Sequence, residues 1–282
     1  MNLYSVNTGY FKLDGGAMFG VIPKALWQNI NPADENNLCT WAMRSLLIED
    51  GNRLILVDTG IGDKQSEKFF SYYYLHGDDS LDKSLVRHGF NREDITDVFL
   101  THLHLDHCGG CIKYDPLKEY LIPAFPNATY WSNEDHWNWA THPNPREKAS
   151  FLKENILPMQ ESGQLKFLDE GESMHPDIDV LRVHGHTEAQ MLPQIRVNGK
   201  TLVFMADLIP STGHIARPYV MGYDVRPLVT MEEKATFLDK AVEKEYLLFL
   251  EHDPVNELCT VTKTEKGIRL KEVLKFGDVF GS

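Results

Sequence analysis

Four ionisable side chains lie within six positions at the end of a short apolar segment, in the sequence VFLTHLHLDHCGG of residues 98–110. The apolar start of this segment is typical of a buried strand, and alternate side chains of a strand point to the same face. The glycines that follow allow the backbone to turn back toward that face. The four side chains are His102, His104, Asp106 and His107.

This pattern predicts a metal site. Three imidazoles and a carboxylate at one point are costly to desolvate as free groups, and a bound divalent metal removes that cost. Nitrogen and oxygen ligands suit zinc first, then iron or manganese. A lone His-x-His would fit a solvated histidine-rich loop equally well, but the longer pattern directly after a strand favours metal binding.

Later strand ends supply further candidate ligands. The segment 178–183 is typical of a strand and leads into His184-Gly185-His186-Thr187, the segment 201–205 leads to Asp207, and the segment 246–250 leads to His252. In layered α/β proteins, sites form where strand ends meet loops, so we expect these side chains to complete a two-metal site. Asp58 also ends an apolar segment, and we expect it to orient a metal-bound histidine rather than to bind metal.

The rest of the chain predicts alternating strands and helices. Asp50-Gly51-Asn52 and Asn198-Gly199-Lys200 are typical hairpin turns. Ser132 with Asp135, and Thr230 with Glu233, resemble capping boxes that begin helices. Apolar periodicity predicts helices over residues 64–75, 80–88, 147–157 and 231–243.

An apolar loop of unusual length covers residues 14–37. It contains glycine, proline and asparagine, but it also carries several large apolar side chains, Phe19 and Trp27 among them. A simple connector rarely contains so many of them. Two interpretations remain open: the loop forms a wall over the active site, or it packs against its own domain or a second subunit, which would make the protein a homodimer.

Charge and cysteine content restrict the partners. With 28 basic and 41 acidic residues the formal net charge is −13, which disfavours nucleic acid, and no apolar run is long enough to span a membrane. The first residues show no secretory signal, so we expect a cytoplasmic protein with reduced cysteines. Cys108 and Cys111 could be redox-active or bind metal, but we interpret them as small apolar fillers.

The motifs together resemble those of the metallo-β-lactamase superfamily of hydrolases, over about residues 40–253. The matching residues are Asp58-Thr59-Gly60, His102-x-His104-x-Asp106-His107, Gly185-His186-Thr187, Asp207 and His252. The resemblance implies an α/β fold, a four-layer αββα sandwich of two mixed β-sheets flanked by helices, in a single domain over residues 1–282.

The resemblance also implies the ligand assignment. One metal would be bound by His102, His104 and His186, and the other by Asp106, His107 and His252. Asp207 and a hydroxide would bridge two divalent metal ions, for which zinc is the first expectation and manganese, iron or cobalt would also fit.

Within the superfamily, the chain resembles the branch of lactonases and methyl parathion hydrolase. Two positions depart from the lactonases: Pro210 stands where they have a tyrosine, and Ala189 stands where the family commonly has a glycine. His214, Tyr219 or Tyr223 could replace the missing polar contact or could only pack. The expected substrate contacts are Phe19, Trp27, His214 and Tyr223.

The expected function is that of a dinuclear hydrolase. The bridging hydroxide would attack a small-molecule carboxylic ester or lactone, or else a phosphotriester, and Asp106 would transfer the proton to the leaving group. The alternatives are a thioester hydrolase of the glyoxalase II kind, a mononuclear iron persulfide dioxygenase, and a non-catalytic binding protein.

Overall fold

The computed structural model describes residues 1–281 and contains both helices and strands throughout. The strands are β1 (Asn2–Asp14), β2 (Leu38–Asp50), β3 (Arg53–Val57), β4 (Asp97–Phe99), β5 (Ile112–Tyr114), β6 (Leu121–Pro123), β7 (Thr129–Ser132), β8 (Leu165–Phe167), β9 (Ile178–Val183), β10 (Gln190–Val197), β11 (Lys200–Phe204), β12 (Leu247–Phe249), β13 (Leu258–Thr264) and β14 (Gly267–Leu274). The α-helices are α1 (Gly15–Phe19), α2 (Lys24–Trp27), α3 (Glu67–Phe70), α4 (Leu81–Arg87), α5 (Leu105–Cys108), α6 (Glu134–Thr141), α7 (Lys153–Glu161), α8 (Pro227–Glu243) and α9 (Phe276–Phe280). Single turns of 3₁₀-helix cover Arg92–Asp94, Gly109–Cys111 and Thr212–His214.

The chain divides into two compact units. Unit 1 comprises Met1–Gly9 and Met43–Glu172, and unit 2 comprises Tyr10–Ala42 and Ser173–Gly281. In the part of the chain that the structure describes, no helix is both long and apolar enough to cross a membrane.

A mixed six-stranded sheet runs in the order β1-β2-β3-β4-β7-β8. The hairpin of β2 and β3 is antiparallel, whereas β3, β4, β7 and β8 are mutually parallel neighbours. The hairpin turn that the sequence predicts at Gly51-Asn52 is confirmed, since Asp50 pairs with Arg53. Because β3 and β4 are adjacent and parallel, their carboxyl ends lie at the same edge of the sheet, and this edge carries Asp58 and the His102 loop.

The second six-stranded sheet belongs to unit 2 and runs in the order β14-β13-β12-β11-β10-β9. Only β11 and β12 form a parallel pair; their neighbours in the sheet are antiparallel. The predicted turn between β10 and β11 is confirmed, with Asn198 and Gly199 both at positive φ (52° and 73°), as a type I′ turn requires. The sheets therefore confirm the mixed α/β class expected from the sequence.

Several helix boundaries differ from the prediction, and side-chain caps explain two of the differences. Helix α6 begins after Asn133, whose side chain accepts the His136 amide, so Asn133 and not Ser132 is the cap. The helix predicted over 147–157 begins only at Lys153, because Asn144 Oδ1 accepts the amides of Arg146 and Glu147 and forms a turn there.

Two further predicted helices also have different lengths. The segment 64–75 is helical only over Glu67–Phe70, where Ser66 caps the first turn. Helix α8 begins at Pro227, a residue that suits the first helical position, so Thr230 lies inside the helix and the capping box predicted there is wrong. The loop predicted over residues 14–37 contains the two short helices α1 and α2.

Candidate metal centre

In unit 1, the metal-ligand motif occupies the turn between β4 and α5. After β4 the chain passes through His102 and His104, and the short helix α5 then carries Asp106 and His107. The three histidines are buried and Asp106 is half-buried. The ring centroid of His102 lies 4.5 Å from that of His104 and 3.9 Å from that of His107, so the structure brings the three imidazoles together as the spacing predicts.

Asp58 determines the orientation of two of these imidazoles. Its Oδ1 accepts the Thr101 amide at 2.8 Å, and its Oδ2 accepts the Thr101 hydroxyl at 2.6 Å and Nδ1 of His107 at 3.0 Å. Since the Thr101 hydroxyl donates to Asp58, its oxygen can accept only from Nδ1 of His102, which lies 3.1 Å away. Both histidines therefore carry their proton on Nδ1 and keep a lone pair on Nε2.

Nε2 of His102 faces a nitrogen of His104. His104 Nδ1 lies 3.1 Å from His102 Nε2, and on its other side His104 Nε2 lies 3.4 Å from Oε1 of the buried Glu147. A carboxylate beside Nε2 favours a proton there and a lone pair on Nδ1. In these tautomers two lone pairs face each other and repel, and a cation held between them would replace this repulsion with attraction.

The structure also shows two supports of this loop that the sequence did not indicate. His136 is buried, and its Nε2 accepts the amide of Leu103, which lies between the first two motif histidines, at 2.8 Å. Glu147 is buried too, and its Oε2 accepts the indole N–H of Trp139 at 2.7 Å. The sequence does not predict either contact. His136 lies in a segment with helical periodicity and Glu147 is a charged residue in a polar segment, and neither pattern indicates a partner in the motif loop.

In unit 2, His186, Asp207 and His252 converge. Asp207 and His252 follow the adjacent parallel strands β11 and β12, and His186 follows β9 at the same edge of the sheet. Oδ2 of Asp207 lies 2.9 Å from Nε2 of His186, and Oδ1 lies 3.0 Å from Nε2 of His252. One carboxylate thus presents one oxygen to each imidazole.

The remote nitrogens of these two imidazoles also face oxygen atoms. Nδ1 of His186 lies 2.9 Å from Oδ1 of the buried Asp224, and Nδ1 of His252 lies 2.8 Å from the carbonyl oxygen of Ala42. These acceptors hold a proton on Nδ1 and direct Nε2 toward Asp207, which is the arrangement that metal-binding histidines commonly have. Asp224 gives no signal in the sequence, because it lies 38 positions from His186.

The electrostatics of unit 2 favour a positive charge beside Asp207. Burial lowers the pKa of His186, but the charges of Asp207 and Asp224 and the hydrogen bonds to them outweigh burial and raise this pKa to about 10. The same two carboxylates would stabilise a divalent cation at the imidazole nitrogen in place of a proton.

The donor atoms of each unit, taken by itself, suit a divalent metal. Each of the seven predicted ligands belongs to a group of histidine and acidic side chains that could hold a metal ion. The donors are imidazole nitrogens and carboxylate oxygens, a set that suits zinc, manganese, iron or cobalt.

Three of the four expected substrate contacts form a buried aromatic stack in unit 2. Phe19 stacks on Trp27 at 5.3 Å between ring centroids and on His214 at 4.5 Å, both with an interplanar angle of 6°. Nδ1 of His214 lies 2.8 Å from the Ser211 hydroxyl and Nε2 lies 2.9 Å from the Met18 carbonyl oxygen. The fourth residue, Tyr223, is exposed. Contact of these residues with a substrate stays a prediction.

The two departures from the lactonase pattern have visible structural settings. Ala189 has a positive φ of 51°, a conformation that glycine adopts at lower cost, which explains why glycine is suited to this position. Pro210 presents its carbonyl oxygen to the amide of His252 at 3.2 Å. Cys108 and Cys111 are buried free thiols, and burial raises the pKa of Cys111 to about 12, as expected for fillers that stay protonated.

Comparison with known proteins places these motifs in a family. Residues 44–252 match the metallo-beta-lactamase superfamily model. An N-acyl homoserine lactonase of a Bacillus species is 26% identical over 195 residues, which are 66% of this chain and 66% of the relative. The lactonase of Bacillus cereus is 24% identical over 72% of this chain and 73% of its own length. The chain thus spans just under two thirds of the first relative and somewhat more of the second.

Solved structures agree with this assignment. A probable metal-dependent hydrolase from Staphylococcus aureus superposes with a TM-score of 0.87 and is 27% identical, with 96% of this chain and 95% of that chain covered. AidC, a dizinc quorum-quenching lactonase solved in complex with a product, superposes with a TM-score of 0.78 at 21% identity, covering 97% and 95% of the two chains. The fold and the family expected from the motifs are confirmed: the chain belongs to the metallo-beta-lactamase superfamily.

Proposed function

We propose that the protein is a dinuclear metal-dependent hydrolase that acts on carboxylic esters or lactones. The observation that carries the proposal is the carboxylate of Asp207, which directs one oxygen to His186 and the other to His252 at 2.9 and 3.0 Å. A carboxylate placed in this way could serve two cations at once, each of which would also be held by one of the imidazoles.

The proposed ligand assignment follows the family pattern. His102, His104 and His186 would hold one ion, Asp106, His107 and His252 would hold the other, and the carboxylate of Asp207 would serve both. We propose zinc for both positions, because imidazole and carboxylate donors suit it. The acceptors at the remote imidazole nitrogens, Asp58 and Asp224 above all, support the assignment since they hold a proton on Nδ1, so that Nε2 is the nitrogen that would ligate.

When bound, the two ions would lower the pKa of water toward neutrality and polarise the carbonyl group under attack. The chain itself contributes proton transfer. Asp106 is half-buried, so its carboxylate is accessible to solvent and to a substrate. We assign to it the uptake of the proton released by the attacking water and its delivery to the leaving oxygen.

The substrate class is inferred from the relatives and from the charge of the chain. The relatives named above include N-acyl homoserine lactonases, and the net charge of −13 disfavours polyanionic substrates. Because Pro210 replaces the tyrosine of those enzymes, we propose a neutral ester or lactone without restricting it to homoserine lactones. Residues 14–37 would contribute apolar side chains to the binding site of this substrate. We also propose that the chain functions as a single domain.

Metal analysis together with a substrate screen tests the proposal. We expect two metal ions per chain and turnover of lactones or aryl esters, or else of phosphotriesters, and little turnover of thioesters. Asp207→Ala should lose dinuclear occupancy and most activity, because it removes the carboxylate shared by both positions. The matched control His142→Ala, at an exposed histidine of unit 1, should keep both.

Each alternative predicts a different result. One iron per chain with oxygen consumption would favour a persulfide dioxygenase, and turnover of thioesters alone would favour an enzyme of the glyoxalase II kind. Full metal content and full activity in Asp207→Ala would contradict the proposed mechanism, and wild-type protein that binds no metal would leave only a binding role.

A further inference from the structure

Glu233 lies in the second turn of α8, and its carboxylate binds the backbone of the loop that carries His186. Oε1 accepts the amide of His184 at 2.7 Å, and Oε2 accepts the amide of Gly185 at 3.0 Å. One side chain thus holds two consecutive backbone N–H groups immediately before a candidate metal ligand. The sequence predicts that Glu233 forms a capping box with Thr230, so its hydrogen bonds to the His186 loop are not expected.

The carbonyl groups of the same loop are also bound by residues near the start of α8. Arg226 donates its backbone amide to the Gly185 oxygen at 2.9 Å and its guanidinium to the His184 oxygen at 2.6 Å. The amide of Val225 donates to the oxygen of His186 at 3.2 Å. Residues 225–233 therefore bind the loop through both its amides and its carbonyls, and we call this set of contacts the α8 clamp.

Close packing makes the α8 clamp rigid. A Cβ atom added to Gly185 would lie well inside van der Waals distance of the Thr230 amide nitrogen, so the loop rests directly on the helix and only glycine fits. Arg226 is itself held by Glu188, whose Oε2 accepts from the guanidinium at 2.6 Å. The loop has little room to shift unless these bonds break.

We propose that Glu233 is a positioning residue that fixes the backbone of His186 for metal binding. This inference rests on the proposed function, in which His186 binds one of two ions. The imidazole of His186 is oriented by Asp224 through Nδ1, and the α8 clamp determines where the backbone presents that imidazole. Loss of a hydrogen-bonding partner behind a ligand typically costs about 10- to 100-fold in metal affinity.

The variant Glu233→Gln tests the proposal. An amide has one acceptor oxygen and one donor group, so glutamine can hold one of the two backbone N–H groups and must turn a donor toward the other. Glu232→Gln is a matched control, because Glu232 is the preceding residue of the same helix and is exposed. Both variants remove one charge from neighbouring positions of α8.

Two readouts separate the possible results. In metal-free protein, hydrogen exchange at the His184 and Gly185 amides should be about tenfold faster in Glu233→Gln than in wild type and unchanged in Glu232→Gln. In a chelator competition, Glu233→Gln should bind one of the two ions about 10- to 100-fold more weakly, whereas its affinity for the other ion should change little.

The outcomes for the two proposals are distinguishable. If wild type binds two ions and Glu233→Gln binds both with wild-type affinity, the positioning role is wrong while the proposed function stands. An equal loss of affinity at both ions, or in both variants, would also overturn it, since a general loss of stability or of negative charge would explain that result. If wild type binds no metal, the proposed function fails, and the exchange data then show only that Glu233 holds the loop.

Discussion

Asp58 and His107 are 49 positions apart, and Oδ2 of the aspartate accepts Nδ1 of the histidine at 3.0 Å with both side chains fully buried. Asp58 has a φ of 56°, a left-handed conformation that is costly for a residue with a Cβ atom. The surrounding contacts maintain this conformation. In it, the carboxylate also accepts hydrogen bonds from the amide and the hydroxyl of Thr101. One strained residue therefore orients two of the proposed ligands, His107 directly and His102 through Thr101.

Replacing Asp58 with asparagine should lower the affinity of the protein for metal. Asparagine has one acceptor oxygen for the three donors that Asp58 now accepts, so His107 would lose its preferred tautomer. We expect metal affinity to fall about 10- to 100-fold, measured by competition with a chromogenic chelator. Asp78→Asn, at an exposed aspartate of the same unit, serves as the control and should behave as wild type. Unchanged affinity in Asp58→Asn would contradict the orienting role.

Adding one methyl group at Gly185 should destabilise the protein. The new Cβ atom would collide with the backbone amide of Thr230, and neither the loop nor the helix can move without breaking the bonds between them. We expect Gly185→Ala to lose about 1–3 kcal/mol of the free energy of unfolding in a urea titration.

Gly16→Ala is the comparison for this substitution. The nearest atom to its added Cβ is Oδ1 of the Asp14 side chain at 3.0 Å, and its φ is not in the left-handed region, so the effect should be small. Equal stability of Gly185→Ala and wild type would show that the loop can move away from α8 at little cost.

The sequence predicts the strands and hairpin turns well because both depend on local patterns. The turns at Gly51-Asn52 and Asn198-Gly199 follow from backbone preferences of a few neighbouring residues. The strand ends that carry Asp58, His186 and Asp207 are visible as apolar runs that stop at an ionisable residue.

The contacts that hold the proposed ligands in place could not be predicted in the same way. Glu233, Asp224 and Glu147 contact residues 38 to 49 positions away, and a single sequence contains no signal of such pairings. The sequence predicts the start of helix α8 at the wrong residue for a related reason. Glu233 has the spacing of a capping box with Thr230, but its carboxylate binds the amides of another segment instead.

His214 should make the protein less stable in mild acid. Burial lowers its pKa to about 4, against the smaller opposing effect of its bond to the Met18 carbonyl, whereas an unfolded chain has a histidine pKa of about 6.5. Between these values the unfolded state binds a proton that the folded state does not, so this part of the stability is present above pH 6.5 and is lost as the pH falls.

The variant His214→Phe isolates this effect. Phenylalanine can keep the stack on Phe19 but has no group that binds a proton. The variant therefore loses the polar contacts of His214 equally at every pH, and its stability lacks the pH dependence that His214 causes. Urea titrations of metal-free protein at pH 7 and pH 5 should show wild type losing about 2 kcal/mol more than the variant over this interval. His142→Phe, at an exposed histidine, should follow wild type. Equal losses in wild type and His214→Phe would mean that His214 binds its proton as readily in the folded protein as in the unfolded chain.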